Sequence, residues 1–506
     1  KQTKMAINHE KVNENSKKAI EGLEPKEVWN YFYELSRIPR PSCKEEKVVE
    51  WAKAYASKNS FEINVDKKLN VCIKVPATPG YEKATTVVIQ GHMDMVCEKE
   101  PTTEHDFDKD PIELIRDGEW ITANETTLGA DNGIGVVIGM AVALDKTLKH
   151  GPIELLLTSD EEMGMTGAMS LQKGFITEPA ILMNLDSEED GAFYIGCAGG
   201  ADTEVKITMD DEKTPENYKG HTIKIGGLAG GHSGCEVHLN RGNANKILSA
   251  FLEKLIVEEN IDVRLASING GSKRNAIPRD AVATIAVSKE DAEKVQKIVD
   301  NLVMKDEYDF QDYENPKISM AANDAAPEKV FTKESTKKLI TIISATTSGV
   351  VTMSQDIEGM VESSNMLSVV TTKGNDVLVA SLSRSSNNVA LKHLSRQIRA
   401  VGDLVGASTR TYGEYPGWQP NAKSEVLAVA KDVFKKVNDG KEPEINSIHA
   451  GLECGLLVGI YPQLDPISFG PTITGAHSPS ERVRIPDVKI SYELSKAILS
   501  RVAETT

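Results

Sequence analysis

Five short segments rich in histidine and acidic residues constrain this chain most. In order they are 91–95 (GHMDM), 129–133 (GADNG), 159–162 (SDEE), 184–187 (NLDS) and 475–479 (GAHSP). Two imidazoles and several carboxylates cannot be buried unpaired, because each such charge costs several kcal/mol. Two divalent cations would account for all five segments together. The sequence therefore favours a metal-dependent hydrolase.

The N-terminal part of the chain alternates strands with helices. Apolar positions at helical spacing predict helices over 26–37, 44–59 and 133–144. β-rich runs predict strands over 61–65, 71–75, 85–90, 151–158 and 180–184. This order predicts an α/β domain with a mostly parallel sheet, in which sites form at the carboxyl ends of the strands. The first, third and fourth polar segments directly follow such runs.

From about residue 210 the pattern becomes two β-α-β-β-α orders of the ferredoxin-like type. The first covers 221–225, 243–257, 263–268, 281–287 and 289–303, and the second covers 317–321, 332–344, 366–372, 376–383 and 389–401. We therefore expect an inserted α+β domain over 210–411. The α/β pattern resumes with a helix over 424–438, so the other domain is discontinuous and spans 1–209 and 412–506. Such an insertion brings His477 back to the first four segments.

Length and composition exclude several classes of partner. A chain of 506 residues exceeds the size of one hydrophobic core, which favours two domains. The formal net charge of −17 argues against nucleic acid and anionic membranes as partners. The six cysteines form no CxxC pair, which is typical of reduced thiols rather than a disulfide framework. No apolar run reaches transmembrane length, and residues 1–22 are too polar for a signal peptide. We therefore expect a cytoplasmic protein.

His92 and Asp94 alternate along a predicted strand end, so both side chains can point to the same side. One can ligate a metal while the other orients it, although a His-x-Asp pair alone is equally compatible with a structural role. Asp131 lies in a Gly-rich turn, where capping of the helix over 133–144 is the simpler interpretation. A carboxylate there could also bridge two cations.

Glu161 and Glu162 are adjacent like charges, which are destabilising unless a cation neutralises them. One could then bind the metal while the other takes a proton from the attacking water. A solvated acidic turn is the alternative, and it applies equally to Asp186. His477 lies in a polar Gly/Pro loop, where an exposed histidine is the usual explanation. Each segment alone has a structural explanation, but all five together would require five coincidences.

Long segments of the chain resemble one family. They are 91–96, 126–135, 150–167, 196–200, 230–245, 275–279, 416–420, 449–455 and 468–479. Over roughly 24–497 the chain is similar to the aminoacyl-histidine dipeptidases (Xaa-His dipeptidases, carnosinase-like) of the dizinc aminoacylase and carboxypeptidase superfamily. The resemblance implies a zinc-peptidase catalytic domain, and it makes the inserted domain a lid.

The resemblance also implies a set of five ligands for two zinc ions, which manganese or cobalt could replace. The five are His92, Asp131, Glu162, Asp186 and His477. Asp131 would bridge both ions and be joined to the next residue by a cis peptide bond. His92 and Asp186 would hold one ion. Glu162 and His477 would hold the other.

The resemblance implies roles for two further residues of this domain. Asp94 would orient His92, and Glu161 would be the general base. All these positions carry the residue that the family pattern demands. A degenerate enzyme is therefore not indicated.

Residues of the lid are assigned in the same way. His232 resembles the histidine that stabilises the oxyanion of the tetrahedral intermediate, although a surface histidine in a Gly turn is the plain alternative. Arg384 resembles the arginine that binds the C-terminal carboxylate of the peptide, which suits a bidentate, permanently charged guanidinium. Asn240 is expected in the same pocket. His449 and Glu453 are expected to contact substrate, to support a ligand or to support the loop.

The function implied is hydrolysis of small peptide substrates, namely dipeptides with a preference for Xaa-His such as β-alanyl-histidine. A broader-specificity dipeptidase, a tripeptidase or an aminoacylase with the same dizinc core stays open as an alternative. So do a non-catalytic metal or peptide binder and a metal-free scaffold. The resemblance allows a homodimer but the sequence does not require one, because a lid of two units can supply both His232 and Arg384 from a single chain.

Overall fold

The structure is a computed structural model that describes residues 7–178, 180–438 and 440–505. Residues 1–6, 179, 439 and 506, which fall within the predicted ranges 1–209 and 412–506, lie outside the described residues. The chain divides into two compact units. Unit 1 consists of Lys1–Gly196, Pro420–Ser447 and Leu452–Thr506, and unit 2 consists of Cys197–Gln419 and Ile448–Gly451. Within the described residues, no helix is both long and apolar enough to span a membrane.

The N-terminal segment of unit 1 contains the predicted alternation of strands and helices. Its helices are α1 (His9–Ala19), α2 (Lys26–Ser36), α3 (Glu46–Asn59), α4 (Ala130–Val142) and α5 (Thr166–Ser170). Its strands are β1 (Glu62–Val65), β2 (Val71–Val75), β3 (Val87–His92), β4 (Leu114–Asp117), β5 (Trp120–Ala123), β6 (Ile153–Thr158), β7 (Ala180–Asn184) and β8 (Ala192–Cys197).

Unit 2 follows without a long irregular linker. Its helices are α6 (Ala244–Val257), α7 (Lys289–Asn301), α8 (Met304–Glu307), α9 (Lys333–Ala345) and α10 (Asn388–Leu404). Its strands are β9 (Gly199–Thr208), β10 (Asp211–Lys213), β11 (Tyr218–Gly226), β12 (Gly231–His232), β13 (Arg264–Gly270), β14 (Ala276–Ile277), β15 (Ala281–Ser288), β16 (Lys317–Ala322), β17 (Lys329–Phe331), β18 (Gly349–Met353), β19 (Val361–Lys373), β20 (Asp376–Ser385) and β21 (Ser408–Tyr415).

The remaining elements complete the chain. The helices are α11 (Glu425–Val437), α12 (Glu453–Ile460) and α13 (Ile485–Thr505), and the strands are β22 (Glu444–Ile448), β23 (Leu464–Ser468), β24 (Ile473–Thr474) and β25 (Arg482–Arg484).

A mixed sheet forms the centre of unit 1. Among the described residues its strand order is β1-β2-β6-β3-β7-β23-β8-β22. The four strands β6, β3, β7 and β23 are parallel, and β2 and β8 pair antiparallel on either side of them. Every residue of β3, β6 and β7 is buried, as expected for parallel strands covered on both faces. The predicted α/β class is confirmed, with four parallel strands at the centre of a mixed sheet.

Two ferredoxin-like units share one sheet in unit 2, in the order β16-β11-β15-β13-β19-β20-β9-β21. The first has the chain order β11-α6-β13-β15-α7-β16. The second has the order β9-α9-β19-β20-α10-β21, so the first is inserted between β9 and α9. The predicted pair of ferredoxin-like units is therefore confirmed.

The strand predicted over 317–321 was assigned to the wrong unit. It forms β16, which pairs with β11 as the fourth strand of the first unit. The first strand of the second unit is β9, which pairs with β20 and β21. Sequence order cannot reveal this nesting, because β9 and β19 are separated by the whole of the first unit. Because β9 belongs to the second ferredoxin-like unit, unit 2 begins at Cys197 rather than at residue 210. The functional division into a catalytic domain and a lid at 210–411 stays a prediction.

Side-chain caps fix where four of the helices of unit 2 begin, α8 being the exception among the described helices. Ser288, Thr332 and Asn387 each accept a hydrogen bond from a backbone N–H in the first turn of the helix that follows. Asn243 does the same for α6. Such caps supply acceptors for amides that have no intrahelical partner, each stabilising the helix by about 1 kcal/mol. The helices then pack on the sheet through buried aliphatic side chains.

We predict that truncating a buried side chain of α6 destabilises unit 2, whereas truncating an exposed side chain at the end of α10 does not. Leu252 is fully buried in that core, whereas Leu404 at the end of α10 is 86% exposed. Leu252→Ala should lower the free energy of unfolding by about 2–5 kcal/mol, because it removes buried contacts and leaves a cavity. Leu404→Ala should change it by less than about 0.5 kcal/mol. Urea unfolding followed by circular dichroism measures both, and equal losses would contradict the packing described.

Candidate functional site

Most of the predicted site residues lie where parallel strands of unit 1 end side by side. His92 is the last residue of β3, and Asp186 follows β7 by two residues. Glu161 and Glu162 follow β6. Because β6, β3 and β7 are neighbours in the sheet, these side chains meet at its carboxyl edge.

Asp131 and His477 reach the same edge from outside the sheet. Asp131 lies in the first turn of α4, where its backbone and that of Asn132 depart from helical angles. The peptide bond between these two residues is cis, as the resemblance implies. Asn132 donates a 2.5 Å hydrogen bond to the carbonyl of Leu185, which ties this turn to the end of β7. His477 lies between β24 and β25.

The carboxylate of Asp131 lies between two histidines. Its Oδ1 is 3.0 Å from Nε2 of His92, and its Oδ2 is 3.1 Å from Nε2 of His477. His92 Nε2 also lies 3.5 Å from Asp186 Oδ1, and His477 Nε2 lies 3.0 Å from Glu162 Oε2. The donor atoms of the five predicted ligands form two groups, each within 4.8 Å: His92 with Asp131 and Asp186, and Asp131 with Glu162 and His477. The two groups share Asp131.

These residues fit divalent cations. Oε1 of Glu162 and Oδ1 of Asp186 are buried and accept no hydrogen bond from the described residues. An unsatisfied buried carboxylate oxygen is costly, and a cation would satisfy it. Histidine nitrogens and carboxylate oxygens together are also the donor set that suits zinc.

Negative charge is concentrated at this edge of the sheet. Burial raises the pKa of Asp186 well above its ordinary value and that of Glu161 to about 8. The pKa of His477 is raised to about 11, because its ring is hydrogen-bonded to Asp131 and Glu162. Two divalent cations would balance this charge and reverse these shifts.

Asp94 connects His92 to the two glutamates. Its Oδ1 is 3.4 Å from Nδ1 of His92, and the opposite ring nitrogen, Nε2, faces the carboxylates of Asp131 and Asp186. The same carboxylate accepts the backbone N–H groups of Glu161 and Glu162 at 3.1 and 3.2 Å and the hydroxyl of Ser42 at 2.8 Å. Although burial opposes it, contact with His92 lowers the pKa of Asp94 to about 2. Asp94 is thus placed where an orienting carboxylate is expected.

Sequence reasoning missed two buried residues beside Asp131. Arg40 and Glu481 are each 2% exposed and contact the turn over 128–131. Arg40 lies between two prolines, and Glu481 follows His477 by four residues in the same polar segment. Its proximity to a candidate ligand was the signal that could have identified Glu481.

Glu453, which the sequence predicts to contact substrate or to support a ligand or the loop, is fully buried at the start of α12. It accepts hydrogen bonds from Gln90 and Thr158, both at 2.6 Å. Gln90 lies two residues before His92 in β3, and Thr158 is the last residue of β6, which Glu161 and Glu162 follow. Glu453 therefore supports the strand ends rather than lying open to substrate.

The predicted lid residue His232 lies in unit 2, at the end of β12. Its Nδ1 accepts the backbone N–H groups of Gly234 and Cys235 at 3.2 and 3.0 Å. Burial lowers the pKa of the ring, and Arg384 adds to this effect. A neutral ring whose Nδ1 is an acceptor carries its proton on Nε2. His232 therefore presents an Nε2–H donor.

Arg384 and His449 lie together in unit 2. Gly234 packs so closely on them that a Cβ there would be 3.0 Å from Nε of Arg384 and 2.2 Å from the carbonyl of His449. Arg384 is buried, donates to the hydroxyl of Tyr415 at 3.1 Å, and has an Nε that bonds no acceptor among the described residues. His449 is bonded through Nε2 to the hydroxyl of Ser364 at 2.7 Å.

Asn240 differs from the other predicted lid residues. Its side chain donates to Asp309 at 2.8 Å, and its backbone has a left-handed φ of 48°. It lines a separate cavity of about 290 Å³ with residues of α6.

Comparison with known proteins identifies the family. Residues 88–501 match Peptidase family M20/M25/M40. The cytosol non-specific dipeptidase of Escherichia coli is 40% identical over 483 residues, which cover 95% of this chain and 98% of that protein. The chain belongs to Peptidase family M20/M25/M40, and the metallopeptidase class predicted from the sequence is confirmed.

Two solved structures of similar proteins support this assignment to the family. The aminoacylhistidine dipeptidase of Vibrio alginolyticus is 40% identical, with a TM-score of 0.86 over 95% of this chain and 98% of that one. The resemblance to aminoacyl-histidine dipeptidases is thereby confirmed. Aminopeptidase PepT of Bacillus cereus shares the fold at 16% identity, with a TM-score of 0.56 over 95% of this chain and 99% of that one.

We predict that His449 makes the stability of the protein depend on pH. Burial and the neighbouring Arg384 lower the pKa of His449 from 6.5 to about 3. Between these values the unfolded chain holds a proton that the folded protein does not, so stability should fall as pH decreases from 6.5 towards 3. His449→Gln should show a smaller loss of unfolding free energy between pH 7 and pH 4 than the unmodified protein. Denaturant titrations at both pH values measure it, and identical losses would refute the buried neutral histidine.

Proposed function

We propose that the protein hydrolyses dipeptides and that Xaa-His dipeptides, such as β-alanyl-histidine, are among its preferred substrates. The arrangement of Asp131 between His92 and His477 carries this proposal, because it offers two metal positions that share one carboxylate. Two relatives of equal identity support it, one called an aminoacylhistidine dipeptidase and the other a non-specific dipeptidase. The second name keeps a broader dipeptide specificity open.

Two zinc ions are the proposed cofactors, and manganese or cobalt could replace them. His92 and Asp186 would hold one ion, and Glu162 and His477 the other. Asp131 would bind both. When bound, the ions supply a Lewis acid for the scissile carbonyl and lower the pKa of water at the site.

Glu161 is the proposed general base. Its Oε2 lies 4.0 Å from Nε2 of His92, and its side chain is 20% exposed, so water can reach it at the metal positions. Glu161 takes a proton from the attacking water as the new C–O bond forms. It then delivers that proton to the amine as the C–N bond breaks.

In unit 2, His232 is the proposed catalytic residue and Arg384 the proposed substrate-binding residue. The Nε2–H of His232 would donate to the oxyanion of the tetrahedral intermediate. Arg384 would bind the C-terminal carboxylate, since its buried Nε bonds no acceptor within the described residues and its charge is permanent. His449 is proposed to line the same substrate pocket, whereas the cavity beside α6 that Asn240 lines is separate from it. These roles rest on the chemistry of each residue within its own unit and on the resemblance.

Small peptides are the proposed partners, and the cytoplasm is the proposed location. The name of the E. coli relative supports this location, as does the absence of any cysteine pair with CxxC spacing. A homodimer is a further proposal, which sedimentation of the purified protein would test.

The function is tested by removing and restoring the metal across a panel of dipeptides. Chelation should abolish hydrolysis, and two equivalents of Zn²⁺ per chain should restore it. The panel contains β-alanyl-histidine, alanyl-histidine, alanyl-alanine, a tripeptide and an N-acetyl amino acid, each followed by amine release.

The outcomes of this panel separate the candidate functions. Highest kcat/KM on the histidine dipeptides supports the proposal. Equal rates on all dipeptides would indicate a non-specific dipeptidase. Preference for the tripeptide or the acetylated substrate would overturn the proposal in favour of a tripeptidase or an aminoacylase.

We predict that Glu161→Gln nearly abolishes turnover without removing the metal. The amide cannot accept the proton of water, so kcat should fall by about 10²–10⁴-fold. Zinc content should remain two per chain, because Glu161 is not a proposed ligand. Glu50→Gln, at an exposed position on α3, is the matched control and should keep full activity. A Glu161→Gln enzyme with normal kcat would show that the base is another residue.

A further inference from the structure

The turn over 128–131, which carries Asp131, is held from two sides by the buried side chains of Glu481 and Arg40. We propose that Glu481 is a positioning residue that fixes Asp131 in place to bridge two cations before either cation binds, with Arg40 as its counterpart. This inference rests on the proposed function, which makes Asp131 the shared ligand.

Glu481 binds four successive backbone N–H groups. Its Oε2 accepts from Leu128 at 2.7 Å and from Gly129 at 3.0 Å. Its Oε1 accepts from Ala130 at 2.7 Å and from Asp131 at 3.2 Å. A carboxylate that accepts several backbone N–H groups at the start of a helix makes strong, charge-assisted hydrogen bonds. The path of the chain into α4 is thereby fixed.

Arg40 binds the carbonyl groups around the same turn. Its Nη2 donates to the carbonyl of Gly129 at 2.5 Å, and its Nη1 donates to the carbonyls of Met93 and Asp94 at 2.8 and 2.9 Å. Gly129 has a left-handed φ of 72°, and a Cβ there would lie 2.4 Å from Nη2 of Arg40. Only glycine therefore allows the guanidinium so close. Arg40 links the turn of Asp131 to the residues that follow His92.

Glu481 also joins Asp131 to the segment of the second histidine. His477 and Glu481 belong to one loop, in which the N–H of Glu481 donates to the carbonyl of Ser478 at 3.0 Å. The backbone of Asp131 is bonded to Glu481, while its side chain faces His477. One short loop therefore fixes both the position of the bridging carboxylate and its distance from a ligand.

The role of Glu481 is positional because both of its oxygens are already used. Each oxygen accepts two N–H groups, so neither is free to bind a cation or substrate. Groups that orient a metal ligand typically contribute about 10–100-fold to metal affinity or activity. We expect an effect of that size on both metal positions, since Asp131 is shared by both.

The test measures zinc binding to the metal-free protein. Glu481→Gln is nearly isosteric, but its NH₂ group would face two N–H donors, so the turn should lose its fixed path. Competition with a chromophoric chelator should give zinc dissociation constants about 10–100-fold weaker than in the unmodified protein. Glu154→Gln is the matched control, because Glu154 is also buried and accepts a backbone N–H, from Thr177, at the opposite end of β6. It should leave zinc binding unchanged.

A second readout separates positioning from a merely structural role. The rise in thermal midpoint produced by zinc depends on affinity for the folded state. A structural role alone would lower the midpoint of the metal-free variant and leave this rise intact. Positioning predicts that the rise itself shrinks in Glu481→Gln, and that kcat falls with little change in KM at saturating zinc.

The outcomes distinguish the inference from the proposed function. Fewer than two zinc ions in the unmodified protein would sink the proposed function. Two zinc ions with an unchanged dissociation constant in Glu481→Gln would sink the inference alone. If the variant fails to fold, hydrogen exchange of the unmodified protein decides. Protection of amides 128–131 in its metal-free form supports prior positioning, and exchange as fast as in an exposed loop overturns it.

Discussion

Each oxygen of the Asp131 carboxylate faces a different histidine, and the rest of the site is arranged around this contact. Asp186 and Glu162 complete one group of donor atoms on each side. Such a cluster is destabilising by itself, since it gathers buried carboxylates whose mutual repulsion is not balanced by two imidazoles. The fold must therefore hold the cluster together by its backbone, and it does so at the ends of parallel strands whose burial leaves them little freedom.

A layer of buried polar side chains close to the donor atoms adds to this rigidity, because its hydrogen bonds join the strands to one another. Glu453 bonds Gln90 and Thr158, one in β3 and the other in β6. Gln90 in turn accepts from Asn184 in β7 at 2.6 Å, and Asn184 accepts from Ser468 in β23 at 2.5 Å. Four parallel strands are thus connected side chain to side chain, and three of them lead into the segments of His92, Glu161 and Asp186. A continuous network of this kind fixes relative positions better than isolated pairs do.

Sequence alone predicted the elements well where apolar periodicity was strong, as in α3, α6 and the buried strands of the central sheet. It also singled out the residues that the structure brings together around Asp131, because charged residues after apolar runs are conspicuous. It failed on nesting, since β9 pairs with a strand far along the chain. It also missed Arg40 and Glu481, whose partners are backbone atoms. A side chain that binds the backbone leaves no complementary residue in the sequence.

The two units orient their polar groups by the same physical means. In unit 1, four backbone N–H groups fix the carboxylate of Glu481, and through it the turn of Asp131. In unit 2, two backbone N–H groups bind Nδ1 of His232 and leave its proton on Nε2. Backbone donors cannot rotate away as side chains can, and they cost no side-chain entropy to hold. A histidine tautomer or a carboxylate position that is set by the backbone therefore exists before any cation or substrate arrives, so binding energy would not be spent on organising it.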